Sequence, residues 1–489
     1  MGRAGGREAT MTDRRGYFTA DQVRAAEAEL FTRVPAGMPM RRAAHGLATV
    51  VAGELRSGTG GVAGRTVGLL VGSGDNGGDA LWAGSMLARR GVAVRAVLLN
   101  PERAHREGLA ALRGAGGRVV ERLGAVDLAI DGIVGISGRG PLRPAAAELV
   151  AALDVPIIAA DLPSGVDPDT GAIDGPAVRA EVTVAFGAYK PVHALAQPNC
   201  GRIVLVPIGL QLPEPDLAQL DPAAVGAGWP VPGAADDKYS QGVVGICAGS
   251  AKYPGAGVLS TGAAVAATSG LVRYVGEDAE VLAKFPEVVA SHTISGAGRV
   301  QAWVFGPGAG TDAAARDRLA QVLATELPVL VDADGLTLLA AEPDLVRGRT
   351  APTVLTPHAG EFARLTGSSP EPDRVAAVRA LAADWGVTVL LKGRATIVAA
   401  PGEPTLVNDA GGSWAATAGA GDVLSGILGS LLAAGRPPAW SAAAAARVHA
   451  LAANLAAYAG QPAAAPISAT PLLDHIRPAV RVLRELASS

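Results

Sequence analysis

The stretch TVGLLVGSGDNGGDALWAGSMLARRG, residues 66–91, decides the fold of the first half of the chain. It opens with an apolar run, Thr66–Val71, long enough for one buried strand. Gly, Asp and Asn then dominate, which predicts a loop over 72–79. A helical pattern follows over 80–90. Strand, glycine-rich loop and helix together predict a βα unit whose loop presents bare backbone and acidic side chains.

The same alternation of short apolar runs and helical segments continues beyond this unit. The predicted strands are Thr66–Val71, Val92–Leu98, Val126–Ile130, Val155–Ala160, Val182–Phe186 and Ile203–Val206. Residues 144–153 show a further helical pattern, and 19–56 predicts two helices, the first capped by Thr19. Continuous apolar strands that alternate with helices indicate a parallel sheet covered on both faces.

A stretch rich in Pro, Gly and Asp follows without any period, and the alternation then restarts. Strands are predicted within 242–250, 302–310, 328–336, 353–361 and 387–396. We therefore predict two tandem α/β domains, each a mostly parallel sheet covered by helices. The predicted segments are a disordered lead-in at 1–17, a first domain at 18–210, a linker at 211–235 and a second domain at 236–489.

The composition excludes several classes of protein. A formal net charge of −3, without a long basic block, argues against a nucleic-acid partner. Two cysteines, Cys200 and Cys247, exclude a disulfide framework and fit a reducing cytoplasm. The N-terminus lacks the apolar core of a secretory signal, and the alanine-rich segment 439–460 predicts a packed helix rather than a membrane span. We expect a cytoplasmic homo-oligomer that binds neither nucleic acid nor membranes.

Polar side chains in the first domain cluster where predicted strands end. These residues are Asn76, Asp79, Asp131, Asp161 and Ser164. Ligands of open parallel sheets bind beyond the carboxyl ends of the strands, so these side chains are expected at one edge. Glycine backbone there suits an anion, and oxygen groups from Asn76, Asp131 and Ser164 suit a hard cation. The alternatives are tight βα turns with capping aspartates, and an ordinary dinucleotide-dehydrogenase fold.

The blocks GDNGGDA, DGIVGISGRG, DLPSGVDPDTG and VAFGAYKP resemble the signature blocks of the NAD(P)H-hydrate epimerase family. Asp75 and Ala80 depart from the first Asn and last Gly of the family pattern, and Ile136 to Gly138 replace its Gly-Thr-Gly. The resemblance implies a Rossmann-like three-layer domain. It further implies contact with a hydrated nicotinamide nucleotide by Asp75, Asn76, Gly77, Gly78, Asp79, Gly135, Ile136, Ser137, Gly138, Arg139, Gly140 and Pro141.

The same resemblance implies a potassium ion held by Asn76, Asp131 and Ser164, and contact of Asp161 with the substrate near its reacting ring. Interconverting the epimers requires loss and return of a group at C6 of the ring, which needs an acid or base. Asp161 is the first candidate for this role. Lys190 is the second, and its alternative interpretation is a solvated surface lysine.

In the second half, SWAATAGAGDVLSGILGSLLAAG, residues 413–435, predicts a glycine turn followed by a helix that begins near Gly421 and Asp422. Backbone N–H groups at a helix start bind phosphate oxygens, and an aspartate there can accept a hydroxyl proton during phosphoryl transfer. The alternative is an aspartate that only caps the helix. GAGD before such a helix resembles the ribokinase-like superfamily.

The blocks GSAKYPGAG, VFGPGAG, VDADGL, TPHAGE, LLKGRAT and AGAGD resemble, in family order, the ADP-dependent NAD(P)H-hydrate dehydratase family. The resemblance implies that Ala256, Gly308, His358 and Asp422 contact the hydrated nucleotide. It implies that the adenine nucleotide, with Mg²⁺ at its phosphates, is bound by Lys392, Gly393, Arg394, Ala395, Thr396 and Gly421. A bifunctional repair enzyme is therefore predicted; the alternative is a ribokinase-like kinase of a small molecule, fused to a non-catalytic nucleotide-binding module.

Overall fold

The computed structural model describes residues 13–268, 270–276 and 278–488. The chain divides into two compact units: Gly16–Leu217, and Ala218–Ser489 with the segment that ends at Arg15. Each unit contains a mostly parallel sheet with helices packed on it, so the predicted fold class is confirmed. The first strand, β1 (Arg14–Tyr17), belongs to the sheet of the second unit.

The first unit contains a seven-stranded parallel sheet of order β4-β3-β2-β5-β6-β7-β8. Its strands are β2 (Thr66–Val71), β3 (Ala93–Leu98), β4 (Arg118–Val119), β5 (Leu128–Gly132), β6 (Ile157–Ala160), β7 (Val182–Phe186) and β8 (Arg202–Val206). Its helices are α1 (Ala20–Arg33), α2 (Met38–Thr59), α3 (Asp75–Ala88), α4 (Arg106–Gly114), α5 (Pro144–Ala151), α6 (Val192–Leu195) and α7 (Gln197–Cys200). Strand order reverses between β2 and β5, which is the switch point where ligands of open α/β sheets bind.

The first helix begins as predicted. Thr19 is the N-cap of α1, and its hydroxyl accepts a hydrogen bond from the Gln22 backbone N–H at 3.3 Å. The Gln22 side chain accepts in return from the Thr19 N–H at 3.0 Å, which completes a capping box.

The helix after the opening stretch begins five residues earlier than predicted, at Asp75 instead of Ala80. Its glycines are required by close packing: a Cβ on Gly77 would lie 2.3 Å from the Gly72 carbonyl oxygen. Gly78 packs against His105, where a Cβ would lie 3.0 Å from the ring. Tertiary contact therefore overrides the poor helix propensity of glycine.

The second unit contains an eleven-stranded sheet of order β1-β9-β18-β17-β16-β15-β14-β13-β10-β11-β12. Its further strands are β9 (Leu217–Leu220), β10 (Val243–Cys247), β11 (Leu271–Val275), β12 (Val289–Ser291), β13 (Ala302–Phe305), β14 (Val329–Val331), β15 (Thr353–Leu355), β16 (Thr388–Leu391), β17 (Ala395–Ala399) and β18 (Thr405–Asp409). Strands β10 to β16 pair in parallel, and β16, β17 and β18 form antiparallel pairs.

Helices pack against this sheet. They are α8 (Pro222–Gly228), α9 (Pro254–Ala267), α10 (Ala279–Lys284), α11 (Ala313–Leu323), α12 (Asp334–Ala341), α13 (Ala359–Thr366), α14 (Arg374–Trp385), α15 (Ala420–Ala433), α16 (Pro438–Tyr458), α17 (Ala469–Asp474) and α18 (Ile476–Ser488). Helices α15 and α9 pack so closely that a Cβ on Gly426 would lie 2.2 Å from the Ser260 carbonyl oxygen. Among the described helices, none combines the length and apolarity that crossing a membrane requires.

Two predicted boundaries differ from the structure. Of the predicted lead-in, residues 1–12 lie outside the described residues, and Arg14–Tyr17 form strand β1. The predicted linker, 211–235, contains β9 and α8, and Val225 and Trp229 within it are buried. The Trp229 ring N–H donates to the Ala267 carbonyl at 3.0 Å. Prolines and glycines conceal these short elements because they interrupt any periodicity.

Candidate functional site

Asp131 and Ser164 meet at the carboxyl edge of the first sheet, beside its switch point. The Asp131 carboxylate accepts hydrogen bonds from the Ser164 hydroxyl at 2.7 Å and from the Ser164 backbone N–H at 2.8 Å. The Ile133 N–H donates a third, at 3.1 Å. Burial raises the pKa of Asp131 to about 6, although these hydrogen bonds act in the opposite direction. A negative charge at this position is costly without a neighbouring cation.

Asn76 lies beside this pair on the first turn of α3. A Cβ on Gly135 would lie 3.5 Å from the Asn76 side-chain oxygen, and one on Gly132 would lie 3.1 Å from its backbone oxygen. The Asn76 side-chain nitrogen is buried and has no hydrogen-bond partner among the described residues. Asn76 does not cap α3, because the N-cap is Gly74. The structure thus brings together the three residues predicted to hold a cation.

Asp161 and Lys190, the two predicted acid/base candidates, form a buried ion pair. The Lys190 ammonium group contacts the Asp161 carboxylate and also donates to the Phe186 carbonyl at 2.8 Å. The Phe186 N–H donates to the same carboxylate at 3.0 Å. Lys190 is only 1% exposed, so its interpretation as a solvated surface lysine is wrong. Lysine is almost never buried to this degree without a specific partner.

The backbone of Asp161 is held in an unusual conformation, with φ of +69°. His193 supports it: its Nδ1 accepts a hydrogen bond from the Lys190 N–H at 2.9 Å, so its Nε2 carries the proton that points to the Asp161 carbonyl at 2.9 Å. Burial, followed by the charge of Lys190, lowers the pKa of His193 to about 4. A neutral His193 therefore fixes the position of Asp161. No motif in the sequence points to this histidine.

The loop of residues 135–141 follows β5 and contains Arg139, predicted as an anion partner. The Arg139 guanidinium instead donates to Asp169 at 3.1 Å and lies 3.6 Å from Asp167. It also donates to the Ile136 and Gly138 carbonyls. Arg139 therefore orders this loop.

Asp75 is exposed on the first turn of α3, whereas Asn76, Gly77, Gly78 and Asp79 are buried there.

Two carboxyl groups near Asp161 have raised pKa values. Asp79 is buried, and desolvation together with the charges of Asp161, Asp75 and Glu27 raises its pKa well above the usual range. Glu27 projects from α1 and is half-buried. Burial and the charge of Asp161 raise the pKa of Glu27. Sequence reasoning missed Glu27, because it lies within an ordinary amphipathic helix far from any glycine-rich block.

In the second unit, Lys392 follows β16 and joins two acidic side chains. Its ammonium group donates to Asp332 at 2.7 Å and lies 3.4 Å from Glu361. Ser425 on α15 donates to the other Asp332 oxygen at 2.8 Å. Burial lowers the pKa of Lys392, but the two carboxylates outweigh it and raise the pKa overall. Asp332 and Glu361 were not predicted as site residues, although they lie in the quoted blocks VDADGL and TPHAGE.

Asp422 lies in the first turn of α15, next to the same group. The helix starts at Ala420, one residue before the predicted Gly421. A Cβ on Gly421 would lie 3.6 Å from the Lys392 nitrogen and 3.8 Å from an Asp332 oxygen. Burial, followed by the charge of Asp332, raises the pKa of Asp422 to about 7, despite Lys392. The start of α15 therefore lies beside a lysine and carries a carboxyl group whose pKa is near neutrality.

Ala256 and Gly308, predicted to contact the hydrated nucleotide, are neighbours. Ala256 lies in the first turn of α9, and a Cβ on Gly308 would lie 2.8 Å from the Ala256 Cβ.

His358 is the N-cap of α13: its Nδ1 accepts from the Gly360 N–H at 3.0 Å, and its backbone N–H donates to Glu361 at 2.8 Å. Its side chain is 58% exposed. His358 therefore has a structural role and an accessible ring.

A cavity of about 220 Å³ opens beside Lys392. Five of the six residues predicted to bind the adenine nucleotide line it: Lys392, Gly393, Arg394, Thr396 and Gly421. The sixth, Ala395, is buried in β17. We call this space the nucleotide cavity. Among the residues that the structure describes, no three or more His, Cys, Asp and Glu side chains form a metal-binding group.

Two family models match the chain, one in each unit. The model described as YjeF-related protein N-terminus matches residues 37–192. The model described as NAD(P)H-hydrate dehydratase matches residues 244–475. A solved ribokinase-like superfamily protein from Enterococcus faecalis aligns with 57% of this chain and 99% of its own, with a TM-score of 0.50 and 24% identity. This likeness supports the predicted ribokinase-like fold.

Relatives match almost the whole chain. A bifunctional NAD(P)H-hydrate repair enzyme from Mycobacterium leprae is 60% identical over 474 residues, which cover 96% of this chain and 100% of the relative. Its counterpart from Mycobacterium tuberculosis is 62% identical over 434 residues, covering 88% of this chain and 91% of that one. The resemblance noted for each half is thus confirmed. The chain belongs to the family of bifunctional NAD(P)H-hydrate repair enzymes.

Proposed function

We propose that the first domain interconverts the R and S epimers of hydrated NADH and NADPH. The second domain then uses ADP to dehydrate the S epimer, releasing NADH or NADPH, AMP and phosphate. The observation that carries this proposal is Asp422, a carboxyl group with a pKa of about 7 at the start of α15, close to Lys392. Such a group can accept a proton near neutral pH while the helix start binds phosphate.

In the dehydration, the C6 hydroxyl of the hydrate attacks the terminal phosphorus of ADP. Its proton passes to Asp422, a new oxygen–phosphorus bond forms, and AMP leaves. The C6–oxygen bond then breaks with its electron pair on phosphate, while the lone pair of the ring nitrogen forms a double bond to C6. Loss of the C5 proton restores the dihydropyridine. Phosphorylation is needed because hydroxide is a poor leaving group.

Lys392 and the backbone N–H groups around Gly421 stabilise the negative charge of the transferred phosphoryl group. Asp332 holds Lys392 in place through the hydrogen bond of 2.7 Å. A magnesium ion, held mainly by phosphate oxygens of the nucleotide, would add charge neutralisation.

In the first domain, we assign Asp161 as the group that exchanges a proton with the substrate near C6. Lys190 provides a buried positive charge next to it, and His193 fixes its backbone. The oxygen-rich surroundings of Asn76, Asp131 and Ser164 fit a potassium ion, because a buried carboxylate and an amide are hard oxygen ligands. This ion would offset the buried charge of Asp131. A homo-oligomeric, cytoplasmic enzyme remains our expectation, which light scattering and cell fractionation can check.

One assay tests both activities. The protein is incubated with ADP and a mixture of both hydrate epimers, and the absorbance of the dihydronicotinamide is followed. We expect full recovery for the wild type. With Asp161→Asn, recovery should stop once the S share of the hydrate is consumed. With Asp422→Asn, recovery should be slower by about 10²–10⁴-fold, while the two epimers still equilibrate.

Product analysis provides the decisive control. Phosphate and AMP should each form in one-to-one proportion with NADH. Accumulation of a stable phosphorylated hydrate, or full recovery by Asp161→Asn, would contradict the proposal.

A further inference from the structure

The nucleotide cavity contains a polar side chain whose hydrogen-bonding capacity is not satisfied by the protein. Asn408, at the end of β18, lines the cavity and is 4% exposed. The register of β17 and β18 sets it opposite Thr396, which lines the same cavity. The Asn408 side-chain oxygen is buried and has no hydrogen-bond partner within the described part of the chain. Buried acceptors of this kind are rare, because their desolvation is not compensated.

The orientation of this amide follows from its other contact. The Asn408 side-chain nitrogen donates to the Ala446 carbonyl oxygen at 3.3 Å. A carbonyl oxygen can only accept, so the NH₂ group must face Ala446 and the oxygen must lie on the other side. Asn408 therefore offers a ligand in the cavity an acceptor, its side-chain oxygen.

His449 adds a second acceptor to the same wall. Its Nε2 lies 2.8 Å from the Ala420 carbonyl oxygen, so this nitrogen carries the proton. Burial lowers the pKa of His449 to about 4, and the ring is therefore neutral at physiological pH. Its Nδ1 is then an acceptor. Leu424 and Ala450 add apolar surface to the cavity.

A cavity that combines apolar surface with side-chain acceptors suits a flat apolar ring that carries an amino group. Phosphates are accounted for by Lys392 and Gly421, which line the same space. We propose that the Asn408 side-chain oxygen accepts a hydrogen bond from the exocyclic amino group of the bound adenine, and so makes the second domain select adenine nucleotides. This inference rests on the proposed use of ADP. It assigns base selection to a residue outside both phosphate-binding blocks.

The test compares ADP with inosine diphosphate, which has the same ribose and phosphates but a carbonyl oxygen where adenine has its amino group. For the wild type we expect kcat/KM for dehydration to be at least about tenfold higher with ADP, since an unpaired buried acceptor rejects the analogue. Asn408→Leu should lower this ratio to about one, through a higher KM for ADP with little change in kcat. Ser441→Ala is the matched control, because it removes another buried, unpartnered polar atom that does not line the cavity.

A binding measurement keeps the test independent of catalysis and of impaired folding. ADP should raise the melting temperature of the second domain more than inosine diphosphate does, and in Asn408→Ala the two shifts should be equal. An unchanged ADP preference in both variants would overturn the inference. If the Asn408 variants instead lose their preference for ADP over 2′-deoxy-ADP, the Asn408 oxygen binds the ribose. That result would also overturn the inference. If the wild type dehydrates with neither nucleotide, the proposed function itself fails.

Discussion

Asp422 should impose a pH dependence on dehydration. Its pKa is raised to about 7, first by burial and second by the charge of Asp332. As a base, Asp422 works only when ionised, and its ionised fraction rises about tenfold between pH 6 and pH 8 for a pKa of this value. We therefore expect kcat/KM of the wild type to rise about tenfold across this range.

A neighbouring charge allows the pKa of Asp422 to be shifted in a known direction. Asp334 also raises the pKa of Asp422, as the smallest of the contributions that raise it. Asp334→Asn should therefore move the midpoint of the profile to lower pH, by less than about one unit. Asp422→Asn should lower the rate by about 10²–10⁴-fold, the range of a lost general base.

The assay is the initial rate of dihydronicotinamide formation from the S hydrate at low substrate and saturating ADP, measured at constant ionic strength. Because the phosphates of ADP also titrate, the residual activity of Asp422→Asn is recorded over the same range. A pH dependence that persists in Asp422→Asn is then assigned to titration of the ADP phosphates. A flat wild-type profile, or a variant that keeps the full wild-type slope, would refute the role of Asp422.

Four further predictions each concern a single residue or site. Potassium chloride should raise the melting temperature of the first domain relative to choline chloride, and Asp131→Asn should abolish the difference, as calorimetry can show. Lys190→Met should cost about 3–5 kcal/mol in urea unfolding, because it leaves the buried Asp161 carboxylate without its partner, and adding Asp161→Asn should restore part of the loss. Glu27→Gln should slow epimer exchange, followed by chromatography of the two epimers, and leave dehydration of the pure S epimer unchanged. Gly426→Val should lower the unfolding free energy by more than about 1 kcal/mol in the same urea titration, because its side chain meets the Ser260 carbonyl.

The parallel sheets, and the clustering of polar residues at the ends of their strands, could be predicted from sequence. Buried parallel strands are continuous apolar runs, so β2 has the predicted bounds of Thr66–Val71, and β7 those of Val182–Phe186. Polar residues directly after such runs must collect at one edge, whatever the loops do. The sequence pattern alone therefore predicts that Asp131 and Ser164 lie at the same edge of the sheet.

Features that depend on three-dimensional burial could not be predicted. Lys190 lies in the block VAFGAYKP and His193 follows it closely, but only the fold shows that both are enclosed around Asp161. The start of α3 was misplaced because the close approach of Gly77 to Gly72 is a tertiary contact. Asn408 looks like any strand-end asparagine until its unpaired oxygen is seen inside a cavity.

The close contact of Gly426 with Ser260 has a mechanical consequence. Two helices whose backbones touch cannot slide or roll past each other without a steric clash, so we expect α15 and α9 to move as one rigid unit. Asp422 lies in the first turn of α15 (Ala420–Ala433), and Ala256 lies in the first turn of α9 (Pro254–Ala267). If Asp422 accepts the proton and Ala256 contacts the hydrated nucleotide as proposed, we expect these two residues to keep a constant spacing during the reaction. We therefore expect any closing motion to come from the loops around these two helices.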